Sequence, residues 1–130
     1  MRKSISLRDQ KGQSLTEFAL VLPILALLLF GVIQFGIVFN NYITLTDATR
    51  AGARKAAVSR RAPDPRGACI AAIRASANNL TQSRLTPDCQ STWLPGEDVR
   101  VTATYPYSIS LLGVFSKSGN LTSTTTERVE

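Results

Sequence analysis

Read as a string of polar and apolar positions, the chain opens on a short charged stretch and then turns almost wholly apolar. From Phe18 to Phe39 no residue is charged, and Gln34 alone is strongly polar. At about 1.5 Å per residue, this run as a helix spans roughly 33 Å, enough to cross a hydrocarbon core of about 30 Å. Helical character continues beyond it: Tyr42 to Arg60 holds no proline, a single glycine and many good helix formers. Ala48, Gly52 and Ala56 fall four apart and make a flat stripe, read as the face covered by the protein's own domain, while Arg50, Arg54 and Arg61 line another face. Unbroken from Ser14 to Arg60, this helix would be about 70 Å long. Within it Pro23 withdraws one amide donor and is expected to bend or loosen the helix locally. Gln34 is expected to donate a hydrogen bond between helices, worth about 0.6 kcal/mol. Gly31 and Gly36 are not spaced as a helix-dimer motif.

The remainder is polar with short apolar periodicities. Ala62-Pro-Asp-Pro-Arg-Gly67 reads as a turn. Ile70, Ile73, Ala77 and Leu80 recur at helical spacing and predict a second amphipathic helix over 68–80. Residues 81–97, with Pro87, Pro95 and Gly96, read as a loop that Trp93 and Leu94 pin onto the core. Val99, Val101, Ala103 and Tyr105 alternate and predict a strand over 98–107 that ends at Pro106. Leu111 to Phe115 is an apolar patch in the connection, and Asn120 to Val129 reads as a second, Thr-rich strand. The fold class predicted is α+β: a long N-terminal helix, a short second helix, and a small antiparallel sheet of two to three strands packed on the long helix.

Charge decides the orientation. Arg2, Lys3, Arg8 and Lys11 stand against Asp9 before the apolar run, so half of the net charge of +6 sits in this leader. Basic residues flanking a span hold that end in the cytoplasm. The organisation expected is a cytoplasmic leader over 1–12, a transmembrane helix over 13–40 in contact with lipid, and an extracytoplasmic α+β domain over 41–130. A basic excess used this way is topogenic, and no nucleic-acid partner is expected. The domain is small enough for one core to be marginal. Cys69 and Cys89, the two cysteines, both fall outside the span, where an oxidising compartment permits a bridge; closing about twenty residues contributes about 3 kcal/mol. Such a bridge would tie the second helix to the loop. With no histidine, two thiols and no cluster of carboxylates, neither a catalytic site, a metal site nor a cofactor is expected. Asn79-Leu-Thr81 and Asn120-Leu-Thr122 match the glycosylation sequon, a pattern short enough to arise by chance.

The junction before the span carries the most specific pattern. A secretory signal ends its apolar region in a small-residue cleavage site, but here the residues after Phe30 are Gly-Val-Ile-Gln-Phe-Gly and the apolar run simply continues. The small residue lies on the other side, in Gly12-Gln13-Ser-Leu-Thr-Glu17-Phe18. Ser14 and Glu17 also have the spacing of a capping box, in which each side chain bonds the other's amide. Glycine followed after four residues by Glu-Phe and an apolar helix looks like a prepilin peptidase site. The fuller pattern, Gly-Gln-Ser-x-x-Glu-Phe-Ala-x-x-x-Pro, resembles the TadE-like minor pilins of the tight-adherence (Tad, or Flp) pilus, within the type IV pilin-like superfamily. The likeness is fullest from Gly12 to about Phe39. It continues more weakly over Thr49–Ala57 and at Val-Thr-Ala-Thr-Tyr-Pro-Tyr and Arg-Val-Glu near the end.

That resemblance implies cutting after Gly12 by prepilin peptidase, a mature chain starting at Gln13, and assembly through Glu17 and Phe18. In it, Glu17 pairs with the α-amine of a neighbouring subunit. It leaves Pro23 either a place where the helix adapts on packing or a tolerated kink. The partners implied are other Tad minor pilins, the major pilin and the inner-membrane assembly platform. The location implied is the bacterial inner membrane, with the cell-surface pilus after assembly. The alternative reading of the same residues is an uncleaved single-span protein whose external domain binds a partner.

Overall fold

The apolar run and the Ala-rich stretch after it form one continuous helix, α1 (Leu7–Ala57), of 51 residues, about 76 Å long at the standard rise. The computed structural model describes residues 7–130, with side chains from Lys11 onward; Arg2 and Lys3 of the basic leader lie outside the described residues. The helix runs without interruption through Pro23. It starts upstream of Ser14, which corrects the capping-box reading: Ser14 stands inside the helix, where its amide has an intrahelical carbonyl to bond. Glu17 instead accepts from the side chain of Gln13, Nε2 to Oε1 3.2 Å. At the other end α1 stops three residues short of Arg60, closed by the Ser59 amide donating to the Ala56 carbonyl at 3.0 Å.

A turn leads into α2 (Pro65–Ser76). Asp64 caps it by accepting from the Gly67 amide at 2.9 Å, and Pro65 fills a first-turn position where no donor is needed. The helix therefore begins three residues before the expected start. It also ends earlier, so Ala77 and Leu80 are buried from the following turn and not from the helix. There the Gln82 side chain donates to the Ala77 carbonyl at 2.8 Å and to Leu80 at 3.3 Å, and reaches the Arg74 carbonyl in the last turn of α2 at 3.4 Å.

Three strands follow in a meander: β1 (Thr86–Gln90), β2 (Asp98–Leu111) and β3 (Phe115–Arg128), in the order β1-β2-β3 with both pairings antiparallel. The fold is α+β, as the pattern of the chain implies. Two local expectations are corrected. The stretch 81–97 is not all loop, since β1 occupies its middle and pairs Thr86–Gln90 with Thr104–Arg100. Its Pro87 is compatible with an edge strand, which has one bonded side only. β2 does not end at Pro106 but runs on to Leu111. The reason is the direction of the backbone groups. Arg84 Nη2 reaches the Pro106 carbonyl at 3.5 Å, so that carbonyl faces the side away from β3. The nitrogen of the same residue faces that side too, beyond the last β1 partner, Thr104. No ladder bond is lost there.

The core lies between α1, α2 and one face of the sheet. Leu45, Ala48, Ala53 and Ala56 of α1 meet Cys69 and Ile73 of α2, Cys89 of β1, and Val99, Val101, Ala103 and Tyr105 of β2. The small-residue stripe is indeed covered by the protein's own domain: Ala48, Gly52 and Ala56 are buried, while Arg50, Arg54 and Arg61 are exposed. Gly52 permits the closest approach, because a Cβ built there would collide with Ile73 Cγ1 and stand 3.4 Å from Val101 Cγ1. One polar knot crosses this core. Thr49 Oγ1 donates to the Thr46 carbonyl at 2.8 Å and accepts from Thr125 Oγ1 at 3.1 Å. Its single proton is thereby used, so Ser123 is the donor in the 3.1 Å contact with it. The chain end is fastened to the same helix by the Glu130 amide donating to the Ala57 carbonyl at 3.0 Å. Trp93 packs against the core as expected, but Leu94 stays 59% exposed.

Candidate functional site

Two halves of α1 stand in different surroundings. From Leu45 onward one face is buried by α2 and the sheet. Before it, the large apolar side chains lie open on nearly every face, among them Leu15, Phe18, Leu28, Val32, Phe35 and Phe39. α1 is long and apolar enough to cross a membrane, and no residue of its most apolar stretch is buried by the rest of the protein. A soluble monomer seldom leaves a contiguous apolar patch beyond a few hundred Å² uncovered, whereas in a bilayer the same surface is solvated by lipid. The backbone of such a helix satisfies its own hydrogen bonds, which a span requires.

The junction residues lie at the far end of this exposed half. Gly12 is inside the helix, its carbonyl accepting from Thr16 Oγ1 at 3.0 Å, and a Cβ there would meet open space beyond the helix's own backbone. Gln13 and Glu17 are one turn apart and joined by the 3.2 Å hydrogen bond, both exposed. Among the described residues no cation lies within 4 Å of the Glu17 carboxylate. Phe18 follows at 59% exposure. The arrangement is a carboxylate presented at the head of an apolar rod, open to a partner supplied from outside the chain.

Further along, Leu27, Gly31, Gln34, Val38 and Asn41 are half covered, at alternating spacings of four and three, and lead directly into buried Leu45 and Ala48. The cover at Gly31 is the end of β2: a Cβ built on Gly31 would lie 3.8 Å from Leu111 Cδ2, ordinary contact. So the sheet runs down α1 well past the residue at which the pattern of the chain divides span from domain. The sequence offers a signal for this only in hindsight, since Ile109 and Leu111 prolong the alternation of β2 beyond its proline. Gln34 stands on this covered stripe, half buried, and not on the open faces where a neighbouring helix could meet it freely.

Cys69 on α2 and Cys89 on β1 are joined in a disulfide, with their Cα atoms 6.5 Å apart and a sequence separation of 20. Both are buried, so the bridge ties α2 to the edge strand from inside the core. A second tie crosses the same gap at the surface, Arg66 Nη2 to Asp88 Oδ1 at 2.8 Å. The Gln90 amide, donating to Asp88 Oδ2 at 2.7 Å, and then this guanidinium hold the Asp88 carboxyl below its usual range. Nearby, Tyr105 Oη accepts from the Thr81 amide at 3.4 Å, and the Arg84 guanidinium lies 5.4 Å from the ring centroid. Hydrogen bonding with Thr81, its side chain before its amide, and then the Arg84 charge lower the pKa of the phenol against the opposing effect of burial.

Residues 12–54 match the family model described as TadE-like protein. The matched segment takes in the junction, the whole exposed half of α1 and its first buried turns, including Ala48 and Gly52. Neither the curated proteins nor the solved structures hold a match to the chain.

Proposed function

We propose that this TadE-like chain is a membrane-anchored minor pilin or pseudopilin of a Tad (Flp-type) pilus, taking part in its assembly or in its tip. The observation that carries the reading is the coincidence of the family match with the open half of α1. A rod that is open on most of its faces for some 30 Å and spine of its own domain thereafter suits a subunit held first in lipid and then among other helices. In this reading residues 13–40 cross the inner membrane with the N-terminus cytoplasmic, and the domain that follows is extracytoplasmic. Prepilin peptidase removes the leader after Gly12, and Glu17 with Phe18 then engages other minor pilins, the major pilin and the assembly platform. A structural part of this kind has no need of a catalytic centre or cofactor.

Gly12 stands about one and a half turns into α1, and a glycine there weakens the helix by about 1 kcal/mol relative to alanine. Opening the turn for a protease is therefore cheap. That the helix nonetheless continues upstream of Gly12 is the observation favouring the second reading, an uncleaved single-span anchor with a partner-binding domain. Intact mass of the protein from its native host separates the two. The pilin reading expects loss of the twelve-residue leader from the wild type and its retention in Gly12→Arg; an unchanged full-length mass in both refutes it and leaves the anchor.

A further inference from the structure

We propose that the tip of the β2–β3 hairpin is a second membrane-contacting element, seated in the leaflet on the domain side of the bilayer that α1 crosses. The inference rests on the membrane-anchored reading of α1 and adds a lipid-binding site in the domain itself. Its first support is position. Gly52 meets Val101 and Gly31 meets Leu111, and the two elements keep step between these points. From Gly31 to Gly52 the helix advances roughly 31 Å, and from Leu111 to Val101 the strand advances roughly 33 Å. The hairpin therefore reaches the level of Gly31 by lying along α1. A hydrocarbon core of about 30 Å takes about 20 helical residues, so one begun at Leu15 ends near Gln34, and Gly31 lies about 4 Å inside it.

The second support is composition at the tip. Leu112, Val114 and Phe115 are 60%, 79% and 54% exposed, three large apolar side chains gathered within four residues. The third is the turn. Val114 donates to the Leu111 carbonyl at 2.9 Å, and the two residues between have φ of +49° at Leu112 and +78° at Gly113. Two successive positive φ values are the geometry that Asn-Gly or Asp-Gly favours, and a left-handed leucine costs roughly 1–2 kcal/mol. A bulky apolar residue that is both strained and open to water gains nothing within the domain; dissolved in acyl chains it regains the benefit of leaving water.

The depth is limited by what lies above the tip. Ser108, Ser110, Ser116 and Ser118 flank it, and both outer edges of the hairpin are unpaired at this level, since β1 reaches only Thr104. Open edges are not tolerated in hydrocarbon, so only the turn and its first residue pair enter. Lys117, exposed two residues above Phe115, stands about 7 Å higher along the strand, at the height of the lipid phosphates, with a stem long enough to reach them.

The test uses the full chain with Trp93→Phe, which removes the one native tryptophan, in vesicles of phosphatidylethanolamine with a minor share of phosphatidylglycerol. Tryptophan is placed singly at Val114, at Leu28, deeper in the span than Gly31, and at Thr126, far up the sheet. Lipids brominated high or low on the acyl chain then report depth by quenching. The expected result is several-fold stronger quenching at Val114→Trp than at Thr126→Trp, greater from the high bromines, with Leu28→Trp answering to the low ones. Phe115→Trp repeats the measurement should the first variant fold poorly. Quenching at Leu28→Trp alone, with water-like emission at both tip positions, overturns the hairpin proposal and leaves the anchor intact. Absence of quenching at Leu28→Trp overturns the anchor reading itself.

Discussion

Gly52→Ala tests the packing that joins the spine to the domain. Two effects oppose each other. In a helix interior, alanine is better than glycine by about 1 kcal/mol, which alone predicts a more stable protein. Against this, the new methyl would collide with Ile73 Cγ1 and stand 3.0 Å from its Cδ1, with Val101 Cγ1 at 3.4 Å on the remaining side. The near atom is not the end of a flexible side chain, and Ile73 is fully buried, so relief requires α2 to move off α1. Overpacking of this kind costs about 1–3 kcal/mol, and with both neighbours blocked the upper part of that range applies. The net loss is about 1–2 kcal/mol, a fall in Tm of about 5–15 °C for a domain of this size. The assay is thermal unfolding in detergent followed by Trp93 fluorescence. Repeating it in an Ile73→Ala background, itself weaker by about 2–5 kcal/mol, removes the obstacle. There Gly52→Ala should become favourable by about 1 kcal/mol. Equal losses in both backgrounds, or a rise in Tm with Ile73 in place, would refute the reasoning.

Replacing both cysteines by serine opens the loop between Cys69 and Cys89 and should cost about 3 kcal/mol, seen as a Tm lower by at least 10 °C or so, without loss of membrane insertion; an unchanged Tm contradicts it. Asp88 should titrate below its ordinary value of 3.8. Because its folded value is depressed, its contribution to stability is full above that ordinary value and is lost as the pH falls through the folded one. Arg66→Ala should move the carboxyl midpoint upward in an NMR titration, and a wild-type midpoint at or above the ordinary value contradicts the assignment. Glu17→Gln removes the charge and leaves an amide that can still face Gln13. Pairing with another subunit's α-amine expects normal insertion and cleavage with severe loss of pili; wild-type piliation at matched protein level counts against it.

What could be read along the chain is what depends on neighbours in sequence. The apolar run, its length and the helix formers after it define α1, because helix bonds join residues four apart and a span needs only enough consecutive apolar side chains. The alternation from Val99 to Tyr105 marks a strand for the same local reason. The TadE-like junction was legible too, as fixed spacings around Gly12 and Glu17. The capping box failed although its spacing is correct, since nothing in Ser14-x-x-Glu17 says whether the backbone before it is already helical. Three further things were decided only in three dimensions. β1 is five residues of mixed polarity around a proline, and it becomes a strand because β2 offers an edge and Cys69 holds Cys89 beneath it. Pro106 breaks no strand because the ladder lies on its other side, a matter of register that its own sequence does not contain. Most of all, the apolar part of the helix looks alike on every face, so although Ala48, Gly52 and Ala56 marked the covered face further on, the chain alone could not say that the cover would extend back over Leu27 to Asn41, or that the hairpin would reach Gly31. That choice follows from matching the rise of a strand to the rise of a helix over the same distance, with small residues where the two come closest.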